Sequence, residues 1–151
     1  MTNRTGPDDM TNRLDPSQRR EPSGLSCWQI NLHHSQVASI NLEAETKHLK
    51  NFIALVQEPW INRGTICGRL GGRTLHAPGK NSRVCIYTSN NINATQLNRF
   101  SCRDLIAVKL KVNTKEIIIA SAYLPHDEPA PLERLEALVE HARQERTPVI
   151  I

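Results

Sequence analysis

Five consecutive apolar residues, Phe52-Ile53-Ala54-Leu55-Val56, stop abruptly at Gln57-Glu58-Pro59. The run is short and lacks polar alternation, the pattern of a strand covered on both faces. Pro59 has no N–H to donate and ends the ladder. Any fold for this chain must therefore be built around a central strand, and 151 residues suffice for one domain around it.

The flanking segments supply partners for that strand. Cys27-Trp28-Gln29-Ile30-Asn31-Leu32 alternates apolar and polar, as a half-buried strand does. Ser35 can cap a helix running to about Lys50, with Val37, Ile40, Ala44 and the stem of Lys47 as its apolar stripe. Short strands are expected over 65–69, 83–89 and 105–112, and the β-branched run 116–122 is closed by Leu124-Pro125. Pro131 opens a second helix at its first turn, and Leu132, Leu135, Leu138, Val139 and Ala142 form its buried face. Thr147-Pro148-Val149-Ile150-Ile151 begins another apolar strand, as a central strand enters a core, so the expectation is a truncated domain. The order predicts a mixed α/β fold, with a sheet covered on one side by helices. Residues 1–25 hold Pro7, Pro16, Pro22 and many polar groups, and read as a disordered leader, with order beginning near Ser26.

No apolar run approaches the roughly 20 residues of a membrane helix, so no membrane partner is expected. The N-terminus lacks the apolar stretch of a signal peptide, so secretion is not expected. Cys27, Cys67, Cys85 and Cys102 form no Cys-x-x-Cys pair and read as buried free thiols in a reducing compartment. Aromatic residues make up 4% of the chain, which leaves aliphatic side chains to fill the core.

The net charge of +4 is unevenly placed. Residues 61–115 carry ten basic groups and one acid, Asp104, for a net +9. On one face such a block would attract a polyanion, nucleic acid above all. The alternative is a solvated surface that keeps the protein soluble.

Three polar residues stand at or near strand ends, where sheet proteins commonly place function: Asn31, Glu58 and Tyr123. Glu58 can give Mg²⁺ a hard oxygen ligand, the Asn31 amide can orient a carboxylate or phosphate oxygen, and the Tyr123 phenol can donate to a phosphate or a water. Together they suit metal-assisted phosphodiester hydrolysis. Each also has a structural reading: Glu58 in an exposed turn, Asn31 bonded to its own backbone, Tyr123 packing its ring with a wet hydroxyl. Gly68-Arg-Leu-Gly71-Gly72 matches no phosphate-binding loop and reads as a turn. His33 and His34 are adjacent, so they cannot both face one metal from a helix.

Gln29-Ile-Asn31-Leu-His33-His-Ser35 followed by a helix resembles the opening of the apurinic-type endonuclease domain of non-LTR retrotransposons, in the endonuclease/exonuclease/phosphatase superfamily. Ile53 to Trp60 is similar to that family's second strand with its metal-binding glutamate. Arg83-Val-Cys-Ile-Tyr87 and Cys102-Arg-Asp104-Leu-Ile-Ala-Val108 fit its middle strands, and Ser121-Ala-Tyr123-Leu-Pro125 fits its tyrosine motif. The resemblance covers residues 27–151 in order. It implies a two-sheet β-sandwich flanked by helices, Mg²⁺ as cofactor, and DNA as substrate. It further implies an intracellular protein acting in the nucleus, with a reverse transcriptase domain in the intact element. It makes Asn31 the first-strand active-site asparagine, Glu58 the metal ligand and Tyr123 the contact to the scissile phosphate, and leaves Asp104 to orient a strand end. His33 departs from the pattern, because relatives often carry an aspartate there.

The family's Gly-Asp-Phe-Asn and Ser-Asp-His segments follow the strand that Val149-Ile150-Ile151 resembles, so the resemblance implies a catalytically incomplete N-terminal half. Two other functions stay open at this point. One is a non-catalytic nucleic-acid-binding remnant that keeps the basic block. The other is a phosphatase of the same superfamily acting on a small phosphoester.

Overall fold

The computed structural model describes residues 24–67, 71–79, 81–127 and 132–151. The expected leader falls outside the described residues up to position 23, as do residues 68–70 of the glycine turn and Pro131.

In chain order the elements are β1 (Ser26–Asn31), α1 (Gln36–Thr46), β2 (Phe52–Gln57), β3 (Ile61–Asn62), β4 (Thr65–Ile66) and β5 (Gly72–Leu75), then β6 (Val84–Ser89), β7 (Ala94–Gln96), β8 (Leu105–Val112), β9 (Lys115–Ala122), α2 (Glu133–Gln144) and β10 (Val149–Ile150). They build two four-stranded sheets, ordered β1-β2-β6-β5 and β10-β9-β8-β7, and a small β3-β4 ribbon. Within the large sheets β1 runs parallel to β2 and β10 parallel to β9, while the remaining pairs are antiparallel. A parallel pair needs a crossover, and α1 and α2 are those crossovers.

The two sheets pack face to face. Ile53, Leu55, Val84 and Ile86 of the first meet Ile106, Val108, Leu110 and Ile119 of the second. On the outer face of the first sheet, Phe52, Ala54, Val56, Cys85 and Tyr87 pack with Leu32 and with Leu42 of α1. On the outer face of the second, Leu105, Ala107, Ile118 and Ala120 pack with Leu135, Leu138 and Ala142 of α2. Successive strand side chains alternate faces, so a strand buried on both must be apolar throughout, as the run at 52–56 is. Each such aliphatic side chain contributes roughly 1.5–3 kcal/mol by leaving water.

This is a mixed α/β sandwich with a helix outside each sheet, as the two-sheet resemblance implies. The simpler expectation of one sheet covered on one side is corrected. Strand order along the chain does not reveal that β6 returns to β2 while β7 starts a second sheet.

The helices differ from expectation in their faces. Ser35 caps α1 as expected, its Oγ accepting from Ala38 N at 3.2 Å, but the helix ends at Thr46 rather than Lys50. Leu42 and Thr46 are buried, whereas Val37 and Ile40 are 66% and 54% exposed and Ala44 is exposed too. Thr46 can be buried because its Oγ1 donates to Leu42 O at 2.7 Å, leaving its methyl to pack. In α2, Leu135, Leu138 and Ala142 are buried as expected, but Val139 is exposed. The short strands β5 and β7 escaped the sequence reading, because an edge strand of three or four residues carries little alternation. Arg73 ties these two edges together, reaching Ile92 O and Ala94 O at 3.4 Å each.

Candidate functional site

The C-terminal ends of β1, β2 and β9 and the N-terminal ends of β6 and β8 meet at one end of the sandwich, since Asn31 pairs with Gln57, Gln57 with Val84, and Leu105 with Ala122. Asn31, Glu58, Arg83, Asp104 and Tyr123 all stand there.

Asn31 closes β1 and is exposed. Its Oδ1 accepts the His33 N–H at 2.8 Å and sets up a tight turn. His33 and His34 both have positive φ, +47° and +54°, and Ser35 N closes the turn on Leu32 O at 2.8 Å. Left-handed backbone costs an L-residue roughly 1–2 kcal/mol, so two in succession mark a loop held by its surroundings. The hold is visible: His34 N donates to Glu58 O at 2.8 Å, and His34 Nδ1 lies 3.0 Å from Pro59 O.

Glu58 follows β2 and also has positive φ, +47°. Both its backbone groups are engaged, N–H to Arg83 O at 2.7 Å and C=O from the His34 amide. This over-determined backbone aims a largely buried carboxylate, whose side chain is 19% exposed, toward the His33 imidazole at 3.3 Å. His33 thus links Asn31 and Glu58: its amide contacts one, its ring the other.

Tyr123 follows β9, and its N–H donates to Asp104 O at 2.9 Å. Arg83 makes a two-pronged salt bridge to the Asp104 carboxylate, with the second prong at 2.7 Å, and its guanidinium carbon sits 4.6 Å over the Tyr123 ring. The buried Ser121 hydroxyl donates to Val56 O at 3.0 Å and joins the sheets just behind.

The structure therefore brings Asn31 and Glu58 together through His33, and links Glu58 to Tyr123 through Arg83. Asp104 stands just before β8, with its carboxylate taken up by Arg83 and its carbonyl by the Tyr123 N–H. Arg83 itself was missed as a site residue. One signal could have exposed it: Asp104 is the lone acid in a basic block, and a lone half-buried acid needs a cation.

Among the described residues no group of three or more His, Cys, Asp or Glu forms that could hold a metal ion. No helix among them is long and apolar enough to cross a membrane.

The described members of the basic block do not gather at one end of the molecule. Lys109 pairs with Glu116 at 3.2 Å and lies 3.9 Å from Glu145, and Arg99 stacks over Phe100 at 4.4 Å. Arg103 lies at the site end, in the turn before β8, while Lys111 and Lys115 flank the hairpin at the opposite end. The block is continuous in sequence, but antiparallel strands carry its described members to both ends of the sheet.

The four cysteines are free thiols, yet only Cys85 is fully buried, and Cys27, on the edge strand β1, is exposed. Burial pushes the Cys85 thiol up to about 12 and raises the Tyr87 phenol as well.

No protein-family model matches this chain, and no curated protein does. Among solved structures it is similar to the endonuclease domain of TRAS1, a telomere-specific non-LTR retrotransposon, at a TM-score of 0.60 and 21% sequence identity. The chain has the fold of that endonuclease domain. The match covers 78% of this chain and 52% of that one, so the chain spans about half the neighbour's length.

Proposed function

We propose that this chain supplies the glutamate-bearing half of a Mg²⁺-dependent site that nicks phosphodiester bonds in DNA. One observation carries the reading. On a sandwich with the fold of an endonuclease domain, Asn31, Glu58 and Tyr123 converge on one end, held there by engaged backbone groups.

The donor set fits Mg²⁺ in its usual manner. That ion takes one or two protein carboxylates and fills its shell with water and substrate phosphate. Glu58 offers the carboxylate and Asn31 an amide oxygen, while Asp104 is occupied by Arg83. When bound, the ion supplies Lewis-acid polarisation of the phosphodiester and a more acidic water. The chain's own residues do the remaining work. Glu58 would hold the ion, Asn31 would orient a phosphate oxygen through its amide, and the Tyr123 phenol would donate to another. On this reading the substrate places the working compartment in the nucleus, and a reverse transcriptase domain is the partner in the intact element.

Among the described residues no second carboxylate stands free beside Glu58. General-base catalysis is worth about 10²–10⁴-fold, and a single carboxylate holds Mg²⁺ weakly. On this reading a site with Glu58 as its one described carboxylate binds the metal weakly and nicks slowly.

Manganese relaxation titration tests the metal assignment. Weak Mn²⁺ binding that Glu58→Gln abolishes, with the fold intact, supports it; equal binding by the variant overturns it. The same single carboxylate favours a second reading, a nucleic-acid-binding module without chemistry. Salt-sensitive DNA binding that ignores both Mg²⁺ and Glu58→Gln would select that reading.

A further inference from the structure

We infer that Arg83 is the positioning residue that fixes the Tyr123 ring relative to Glu58. The inference rests on the function proposed above, in which those two residues flank one phosphate.

Arg83 precedes β6 in the first sheet, yet its bonds run to both sheets. Its carbonyl accepts the Glu58 N–H at 2.7 Å, which holds the Glu58 backbone at positive φ. Its own N–H donates to Arg103 O, in the turn before β8 of the second sheet, at 2.8 Å. Its guanidinium forks onto Asp104, and the guanidinium carbon lies 4.6 Å from the centroid of the Tyr123 ring. Asp104 in turn accepts the Tyr123 N–H through its carbonyl. One residue therefore touches the Glu58 backbone, the Tyr123 ring, and the acid whose own backbone holds Tyr123.

The chemistry requires arginine. A planar guanidinium can fork onto a carboxylate and present its face to an aromatic ring at once, which a lysine ammonium cannot. The pair is mostly buried, with side chains 19% and 13% exposed, so the fork is shielded from competing water. A plain staple between sheets would need no contact with the ring. The contact with the ring is what assigns a positioning role, because misplacing a reacting group by 1 Å can cost about 10²-fold in rate.

The chain has two tyrosines, so ring-labelled tyrosine gives two sets of NMR signals, with Tyr87 as the internal control. Tyr87 sits on the outer face of the first sheet, its hydroxyl donating to Cys67 O at 2.8 Å. In Arg83→Lys the Tyr123 signals should move toward those of free tyrosine while Tyr87 stays in place. Line broadening of Tyr123 by Mn²⁺ should weaken while Mn²⁺ affinity holds. Unchanged Tyr123 shifts and broadening would overturn the inference. Should Arg83→Lys disturb the fold, Asp104→Asn removes the fork's charged acceptor at nearly constant shape. Movement of both tyrosines in both variants would reduce Arg83 to a structural staple and also overturn it. Glu58→Gln should abolish Mn²⁺ broadening yet leave the metal-free Tyr123 shift alone. Absence of Mn²⁺ broadening in the unaltered chain would sink the metal reading only, since the metal-free ring shift still decides on Arg83.

Discussion

The Ser121 hydroxyl donates a 3.0 Å hydrogen bond to the carbonyl of Val56. Both residues are wholly buried, one in each sheet. Glu58 lies two residues beyond Val56 and Tyr123 two beyond Ser121, so this bond sets the sheet separation where the candidate site opens. Ser121→Ala should cost about 1–2 kcal/mol, because the Val56 carbonyl loses a donor where water cannot replace it. Urea unfolding reads the loss, and an unchanged midpoint would mean the sheets do not depend on this contact.

The salt bridges should differ sharply in weight. Arg83–Asp104 is mostly buried and forked, whereas Lys109–Glu116 has a side chain 57% exposed. Asp104→Ala removes the forked carboxylate from a mostly buried guanidinium and should cost about 3 kcal/mol. Glu116→Ala should cost less than about 1 kcal/mol. Equal losses in thermal unfolding would contradict the burial difference.

Stability should fall in alkali. Below pH 9 the Cys85 thiol is neutral in both folded and unfolded chains. Above its ordinary 9.0 the unfolded thiol ionises, while burial holds the folded one neutral until about 12. Over that window the unfolded state binds fewer protons, so this one group removes up to about 1.4 kcal/mol per pH unit. The raised Tyr87 phenol acts in the same direction. Cys85→Ala should flatten the slope of urea midpoint against pH between 9 and 11; an equal slope in the variant would exclude the thiol as its source.

The face of α1 is testable through substitution. Leu42→Ala should cost about 2–4 kcal/mol, as loss of a core leucine does. Val37→Lys should stay within about 0.5 kcal/mol, because Val37 is 66% exposed. A large loss at Val37 would restore the stripe expected from sequence.

Local chemistry alone determined the strands at 52–56 and 105–112, the Ser35 cap and the position of Asn31, Glu58 and Tyr123 at strand ends. Each is written in neighbouring residues: an apolar run, then a polar residue, then a turn. The tertiary structure decided the rest. Helix α1 holds two apolar stripes, and only docking on β2 and β6 selects Leu42 and Thr46 over Val37 and Ile40. The basic block looks like one patch in sequence, but strand reversal carries its described members to both ends of the second sheet. Arg83 stands 21 residues from Asp104 and 25 from Glu58, so its part in the site has no local signature. Periodicity reports which way a side chain faces within its own strand, and partnership across two sheets exists only once those sheets have closed on each other.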